Sequence, residues 1–330
     1  RPDERYVRYE QKGVPISSLD ISNPRFPNFI YVGDNWTEAS KFGYKKTEQA
    51  FKGTEETNTS FSLDFDLPYN VNDEVKFGFK YKSKTKDRND IWYEYDNGLS
   101  DMDGVSFFNA TLSDYQPGKK YQSGNFMTAE ALGSLSLGGP SDANFDSYVM
   151  DEFAGGNYDA DEQVTAFYAM IKDKLGDNLT LIAGARIEST NVDYTGQVFD
   201  EEEDEEPADI GSVTGDNSYT NVLPNLTLQW DLNDKLNFNF AFTQSLSRPS
   251  YYDLVPYEYS NSDDKELALG NPDLKASLST NIDFMAEYYF KGLGLFSVGF
   301  FNKSIDDWIY QFSTNNYTYA GDDEYEMSQL

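Results

Sequence analysis

The sequence has no histidine and no cysteine. The first absence removes imidazole as a general base and metal ligand. The second removes thiolate nucleophiles, disulfides and thiolate zinc sites. Ser–His–Asp chemistry goes with them. Positive charge is scarce too: 26 Lys and Arg stand against 57 Asp and Glu, for a net charge of −31. Such a surface repels phosphate backbones, so nucleic acid is not an expected partner. Long apolar runs are also missing. The richest stretch, Gly294 to Phe301, is far shorter than the ~20 residues a membrane helix needs, which excludes a helical membrane protein. No secretion signal is visible at Arg1: it was removed, or the chain begins in mid-protein.

Aromatic side chains are plentiful, at 25 Tyr, 24 Phe and 4 Trp. High charge with low hydropathy suits disordered chains, but those are poor in aromatics, so a folded chain is expected. Its pattern is alternation with period two, the mark of strands with unlike faces. Phe61, Leu63, Phe65 and Leu67 alternate with Ser62, Asp64 and Asp66. After a polar turn at 68–73, Val75, Phe77, Phe79 and Tyr81 alternate with Lys76, Gly78, Lys80 and Lys82. Three more such hairpins follow, turning at 175–178, 233–235 and 291–294, so the four span about 57–88, 160–195, 216–248 and 277–311. Between hairpins lie long polar stretches, at about 89–159, 196–215 and 249–276, with further loops expected at 1–45 and 312–330.

Strict alternation of short turns with long loops is foreign to Greek-key sandwiches, whose loop lengths follow topology. It fits an outer-membrane β-barrel, with short periplasmic turns and long extracellular loops. The expected fold is therefore all-β, an antiparallel transmembrane β-barrel of about eight or nine visible strands, forming one partial barrel domain over 1–330. Several strands exceed the ~9–11 residues that cross a bilayer. Aromatic residues gather at strand ends, Tyr69, Trp230, Tyr288, Tyr289 and Phe290 beside the short turns and Trp308 and Tyr310 at the far end. These are candidate membrane-interface residues, although aromatics are common in strands generally.

Certain segments resemble a known family. Residues 221–228, Asn-Val-Leu-Pro-Asn-Leu-Thr-Leu, then Leu236 through Ser245-Leu-Ser-Arg-Pro-Ser250, are similar to the barrel of TonB-dependent receptors. Gly270-Asn-Pro-Asp-Leu-Lys275 resembles that family's Gly-Asn-Pro-x-Leu-Lys segment, and 181–188 and 75–82 resemble two of its earlier strands. The motifs keep the family's order over about residues 57–310, with a Bacteroidetes-type flavour. The resemblance implies a 22-stranded barrel in the bacterial outer membrane, a plug and a TonB partner. It also implies import of a glycan, peptide or siderophore. Neither plug nor TonB-binding box is visible, and the terminal aromatic strand is missing, so a central-to-late barrel segment is expected. The other readings are a non-transporting barrel (porin, adhesin or scaffold subunit) and a soluble all-β binding module. A co-encoded surface lipoprotein would point to glycan or peptide.

No enzymatic constellation, cofactor or metal site is expected. Paired carboxylates carry no catalytic signal in so acidic a chain. The run Asp200 to Glu206 would gather cations at a receptor mouth, but it lacks the spacing that wraps calcium, and a solvated loop tip is the plainer reading. Asp101-Met102-Asp103-Gly104 opens like a calcium loop, yet no acid follows where the twelfth ligand belongs; turn formation explains it better. Segment 248–259, with Arg248, Tyr251, Tyr252, Asp253, Tyr257 and Tyr259, joins rings to hydrogen-bonding groups and is the candidate ligand contact, against a role in loop packing. Gly184, Arg186 and Glu188 fall on one polar face, where a lumenal charge ladder is the favoured reading.

Overall fold

The computed structural model describes residues 3–25, 27–32, 39–96, 110–111, 125–292 and 294–329. Two compact units result, Arg1–Gly53 with Asp90–Phe153 and Glu205–Pro207, and Thr54–Asn89 with Ala154–Asp204 and Ala208–Leu330.

The second unit is built on a twelve-stranded sheet. Eight long strands are its frame: β1 (Thr54–Pro68), β2 (Glu74–Arg88), β3 (Tyr158–Leu175), β4 (Leu179–Asp200), β5 (Gly211–Asn233), β6 (Leu236–Ser247), β7 (Ser277–Phe290) and β8 (Gly294–Asp306). Each pairs antiparallel with the next, giving an uninterrupted meander. The four short turns lie along one edge and are stitched together. Lys174 N donates to Asp73 Oδ1 at 2.7 Å. Asp231 N donates to Asn178 O, and Tyr289 N to Lys235 O, both at 2.8 Å.

Register turns the alternation of single strands into faces. Leu63, Phe79, Phe167, Ile187 and Val222 stand in one row across β1 to β5. The next row toward the long loops is Phe61, Tyr81, Thr165, Ser189 and Thr220, where β3 to β5 change to hydroxyls. On β6 and β7 the change comes two rows lower, after Phe242 and Ile282, at the bonded pair Gln244 and Thr280. Stepping of this kind is what strand tilt requires when an apolar band stays level. On β4 the band runs from Leu179 to Ile187, roughly 26 Å along the strand at ~3.3 Å per residue. Its rings are bare: Phe61, Phe65, Phe284 and Phe300 are 54%, 49%, 42% and 64% exposed. An apolar face of eight strands far exceeds the few hundred Å² a soluble monomer leaves open.

Pro224 marks a division in the sheet. Below it, β5 pairs with both β4 and β6; beyond the pair Asn225–Thr243, β5 pairs with β4 alone. A residue without an N–H suits the point where a ladder stops. The chain of 249–276 fills in here, and Asn217 Nδ2 donates to the carbonyls of Pro272 (2.8 Å) and Leu274 (2.9 Å).

Stretches expected as loops carry short strands. Glu258–Asn261 runs parallel to the end of β4 and pairs with Glu266–Leu269. The latter runs parallel to Asp322–Gln329, whose hairpin partner is Phe312–Tyr319. Leu267, Tyr325 and Met327 bury one another there, which is why the sequence 322–329 is a strand and not the loop its polarity suggests.

In the first unit, Asp3–Glu10, Gly43–Phe51, Ile91–Tyr95 and Phe145–Tyr148 form an antiparallel sheet in that order. Its centre holds Thr47, Ala50 and Tyr95, and the Tyr95 hydroxyl donates to Gln49 Oε1 at 2.8 Å.

Candidate functional site

The face opposite the apolar band is polar and cross-linked. Arg186 stands beside Tyr168 and two positions from Glu188, and its guanidinium reaches Glu188 Oε2 at 2.7 and 2.8 Å. Arg248 pairs with the other oxygen of Glu188, donates to Thr190 Oγ1 at 3.1 Å and lies 3.8 Å from Glu162 Oε2. Glu162 and Glu188 are each 7% exposed, so each needs a cation nearby, Arg186 and Arg248 for Glu188 and Arg248 for Glu162. Lys82 approaches Glu162 at 3.9 Å, Lys84 bridges Glu56 at 2.9 Å, and Lys76 bridges Asp66 at 3.4 Å. The charge ladder expected around Gly184, Arg186 and Glu188 is therefore present. Sequence reasoning missed Glu162; its position on the polar face of β3 was the available signal.

Arg248 begins the segment proposed for ligand contact, and the fold uses much of that segment internally. Ser250 caps a one-turn helix, Tyr251–Leu254, in a reciprocal capping box with Asp253. Leu254, Val255 and Tyr257 pack with Tyr158, Ala160, Val192 and Tyr194, and Tyr251 leans on that cluster. The fit is close enough to need glycine. A Cβ on Gly270 would lie 1.7 Å from the Val255 carbonyl oxygen, and one on Gly196 would lie 2.6 Å from Val255 Cγ1. Tyr252 stacks on Tyr257 with centroids 5.1 Å apart and stays 37% exposed. Tyr259 packs on Phe199 and donates to Glu201. The structure thus brings five of the six candidates into one packed loop, with Arg248 as its ionic anchor.

The acidic run is an ordered turn. Asp200 Oδ1 accepts from the N–H groups of Glu202 (3.1 Å) and Glu203 (3.2 Å), and Ser260 Oγ donates to Asp200 Oδ2 at 2.7 Å. Glu201 accepts from Asn261 Nδ2 at 2.7 Å, and Glu202 from the N–H groups of Ser262 (2.6 Å) and Asp263 (3.0 Å). These carboxylates are occupied by N–H and O–H donors, and no metal-holding cluster occurs among the described residues. Burial works against the charge of Asp200. The Ser260 hydroxyl and the two N–H groups outweigh it and hold the carboxyl below the usual range. The motif at 101–104 lies outside the described residues.

The candidate interface aromatics divide by face. Trp230 and Tyr288 belong to the apolar face, aligned with Leu179 and Phe238 and with Leu236 and Phe296. Phe290 is two positions beyond Tyr288 and packs edge-on to it at 4.8 Å. Tyr69 is 55% exposed in the first short turn. Tyr289 points the other way and donates to Glu287 Oε2 at 3.3 Å. Trp308 borders an open cleft of about 440 Å³ with Ser245, Ser247, Ser277, Ser279 and Lys303. Tyr310 is 67% exposed.

Antiparallel two-faced strands, an apolar band near bilayer height and a charged opposite face define an outer-membrane β-barrel protein. A model of the outer membrane protein beta-barrel family matches residues 140–321, more than half of the chain. The chain belongs to that family and resides in the outer membrane. In a barrel of this kind the apolar face meets lipid and the polar face the lumen. Among solved structures, the chain is similar to the copper transporter OprC at 12% identity and a TM-score of 0.47, over 86% of this chain and 34% of that one. It is also similar to the FrpB iron transporter from Neisseria meningitidis, at 12% identity and 0.41, over 92% and 39%. The ferric-catecholate import receptor Fiu from E. coli K12 follows at 13% identity and 0.43, over 89% and 36%. The chain spans between a third and two fifths of these structures. No curated protein matches it in sequence.

Proposed function

We propose that this chain is the barrel portion of a TonB-dependent receptor that imports a nutrient across the outer membrane, and that it is not an enzyme. The observation that carries the reading is the ordered loop 249–276, clamped over the lumenal side of β3 and β4 through Arg248 and the Tyr251–Tyr257 cluster. A loop fixed at the extracellular rim above a charged lumen suits capture followed by passage. The receptor-like motifs at 248–250 and 270–275 supply parts of this clamp. Exposed Tyr252 with Asp253 next to it, and Tyr259 farther along the same loop, are where a ligand would first touch. Arg248, Tyr251 and Tyr257 position that surface. The partners are the TonB complex acting through a plug, outer-membrane lipid and a small or oligomeric nutrient, with a surface lipoprotein where the nutrient is a glycan or peptide.

The test is uptake by cells carrying the full-length gene, once a substrate is found by growth on single nutrients. Removing TonB or collapsing the proton motive force should abolish uptake at low substrate concentration. Uptake that persists would make the protein a diffusive porin. No uptake in either state would favour an adhesin or a scaffold subunit.

A further inference from the structure

One strand of the lumenal wall carries a charge pattern that the chain as a whole does not share. The sequence is short of cations, at 26 against 57 acids. Yet Lys76, Lys80, Lys82, Lys84, Lys86 and Arg88 all occupy even positions of β2 and face the lumen. Neighbours on one face of a strand stand about 7 Å apart, so such a row repels itself unless something negative meets it.

The ends of the row are answered by protein. Lys76 bridges Asp66 and Glu74. Lys84 bridges Glu56, and the ammonium lies 4.7 Å from the centre of the Tyr251 ring. Lys86 lies 5.9 Å from that ring. The middle is different. The cross-strand neighbours of Lys80 are Ser62 and Ala166, and those of Lys82 are Ser60 and Val164, with no carboxylate among them. Lys82 has only the 3.9 Å approach to Glu162, an acid that Arg248 also faces. Lys80 is exposed and makes no ion pair within the described residues. Two ammonium groups therefore stand over a floor of small side chains, beside the exposed hydroxyls Ser60 and Ser62.

Building on the import reading, we propose that Lys80 and Lys82, with Ser60 and Ser62, form a lumenal binding site for an oxyanion. The ligand is a carboxylate- or phosphate-bearing solute, and the rest of the ladder is its track from the Tyr251 loop inward. Ammonium groups attract the charge without demanding bidentate geometry, and the serines supply hydroxyl donors. Rows of Lys and Arg along a pore select anions for the same reason.

The test is differential acetylation of the full-length protein in detergent, read lysine by lysine by mass spectrometry. The probes are inorganic phosphate and succinate, with glucose as the neutral comparison and sodium chloride matching ionic strength. Phosphate, succinate or both should slow labelling of Lys80 and Lys82 roughly tenfold, the factor one charge-assisted contact supplies, and leave Lys303 unchanged. Protection by phosphate alone or succinate alone would name the oxyanion. The double variant Lys80→Gln with Lys82→Gln should lose retention of that anion in equilibrium dialysis. Slowing that sodium chloride reproduces, or none at all, would overturn the site. Amines already unreactive without any anion would also overturn it, since protein would then cover them. The readout uses no energy source, so a failure of TonB coupling would leave it unaffected.

Discussion

Arg248 shows how a residue acquires a different meaning once its surroundings are known. In sequence it stands among tyrosines and reads as a ligand contact; in the fold it lies between Glu162 and Glu188. Replacing it by Met should destabilise the protein by roughly 3 kcal/mol, because Glu162 and Glu188 lose the guanidinium they share and keep only Lys82 and Arg186. Glu162→Gln in the same chain should recover part of that loss in thermal unfolding in detergent. Asp200 gives a pH signature. Its folded pKa is depressed, so its stabilisation is complete above the unfolded value near 4 and is lost as pH falls through the folded value. Acid should therefore release the 200–204 turn from Ser260, raising exchange-corrected opening of the Glu202 and Glu203 amides, which donate to Asp200, below about pH 4. Asp200→Asn should open the turn at neutral pH and flatten that dependence. Neither the Arg248 partners nor the Ser260 contact was legible beforehand, since each joins positions 58 or more residues apart.

At the scale of elements, the eight long strands were legible because each runs for 12 or more residues, room enough for alternation to register. The short ones were not. Glu258–Asn261 and Glu266–Leu269 have four residues apiece, too few for a period to register. Two adjacent residues of β7 offer a direct comparison. Phe284 and Met285 are 42% and 43% exposed and point to opposite faces. Phe284→Arg should cost about 2–4 kcal/mol in lipid vesicles, as a charge at the bilayer midplane does, whereas Met285→Arg should cost under about 1. Equal costs, measured by denaturant titration of the vesicle-inserted protein, would remove the distinction between lipid and lumen on this strand. The aromatic signal was legible only in part. Position near a strand end marked Trp230, Tyr288, Tyr289 and Phe290 alike, and alternation then divides them by face, with Tyr289 on the polar one.

For the molecule as a whole, composition and turn spacing were enough for the fold class, while the sheet at 1–53 and 90–153 left no trace in the pattern. Its strands pair across long separations, such as Gln49 with Tyr93. The central claim is that β1 to β8 cross a membrane with one face in lipid. Because the chain has no native cysteine, single cysteines can be introduced along β1 of the full-length protein and spin-labelled in vesicles. Labels at Phe61, Leu63, Phe65 and Leu67 should be relaxed by oxygen, which dissolves in lipid. Labels at Ser62, Asp64 and Asp66 should respond to a water-soluble nickel chelate, so that accessibility alternates residue by residue. Uniform access of the chelate to all seven positions would contradict the account.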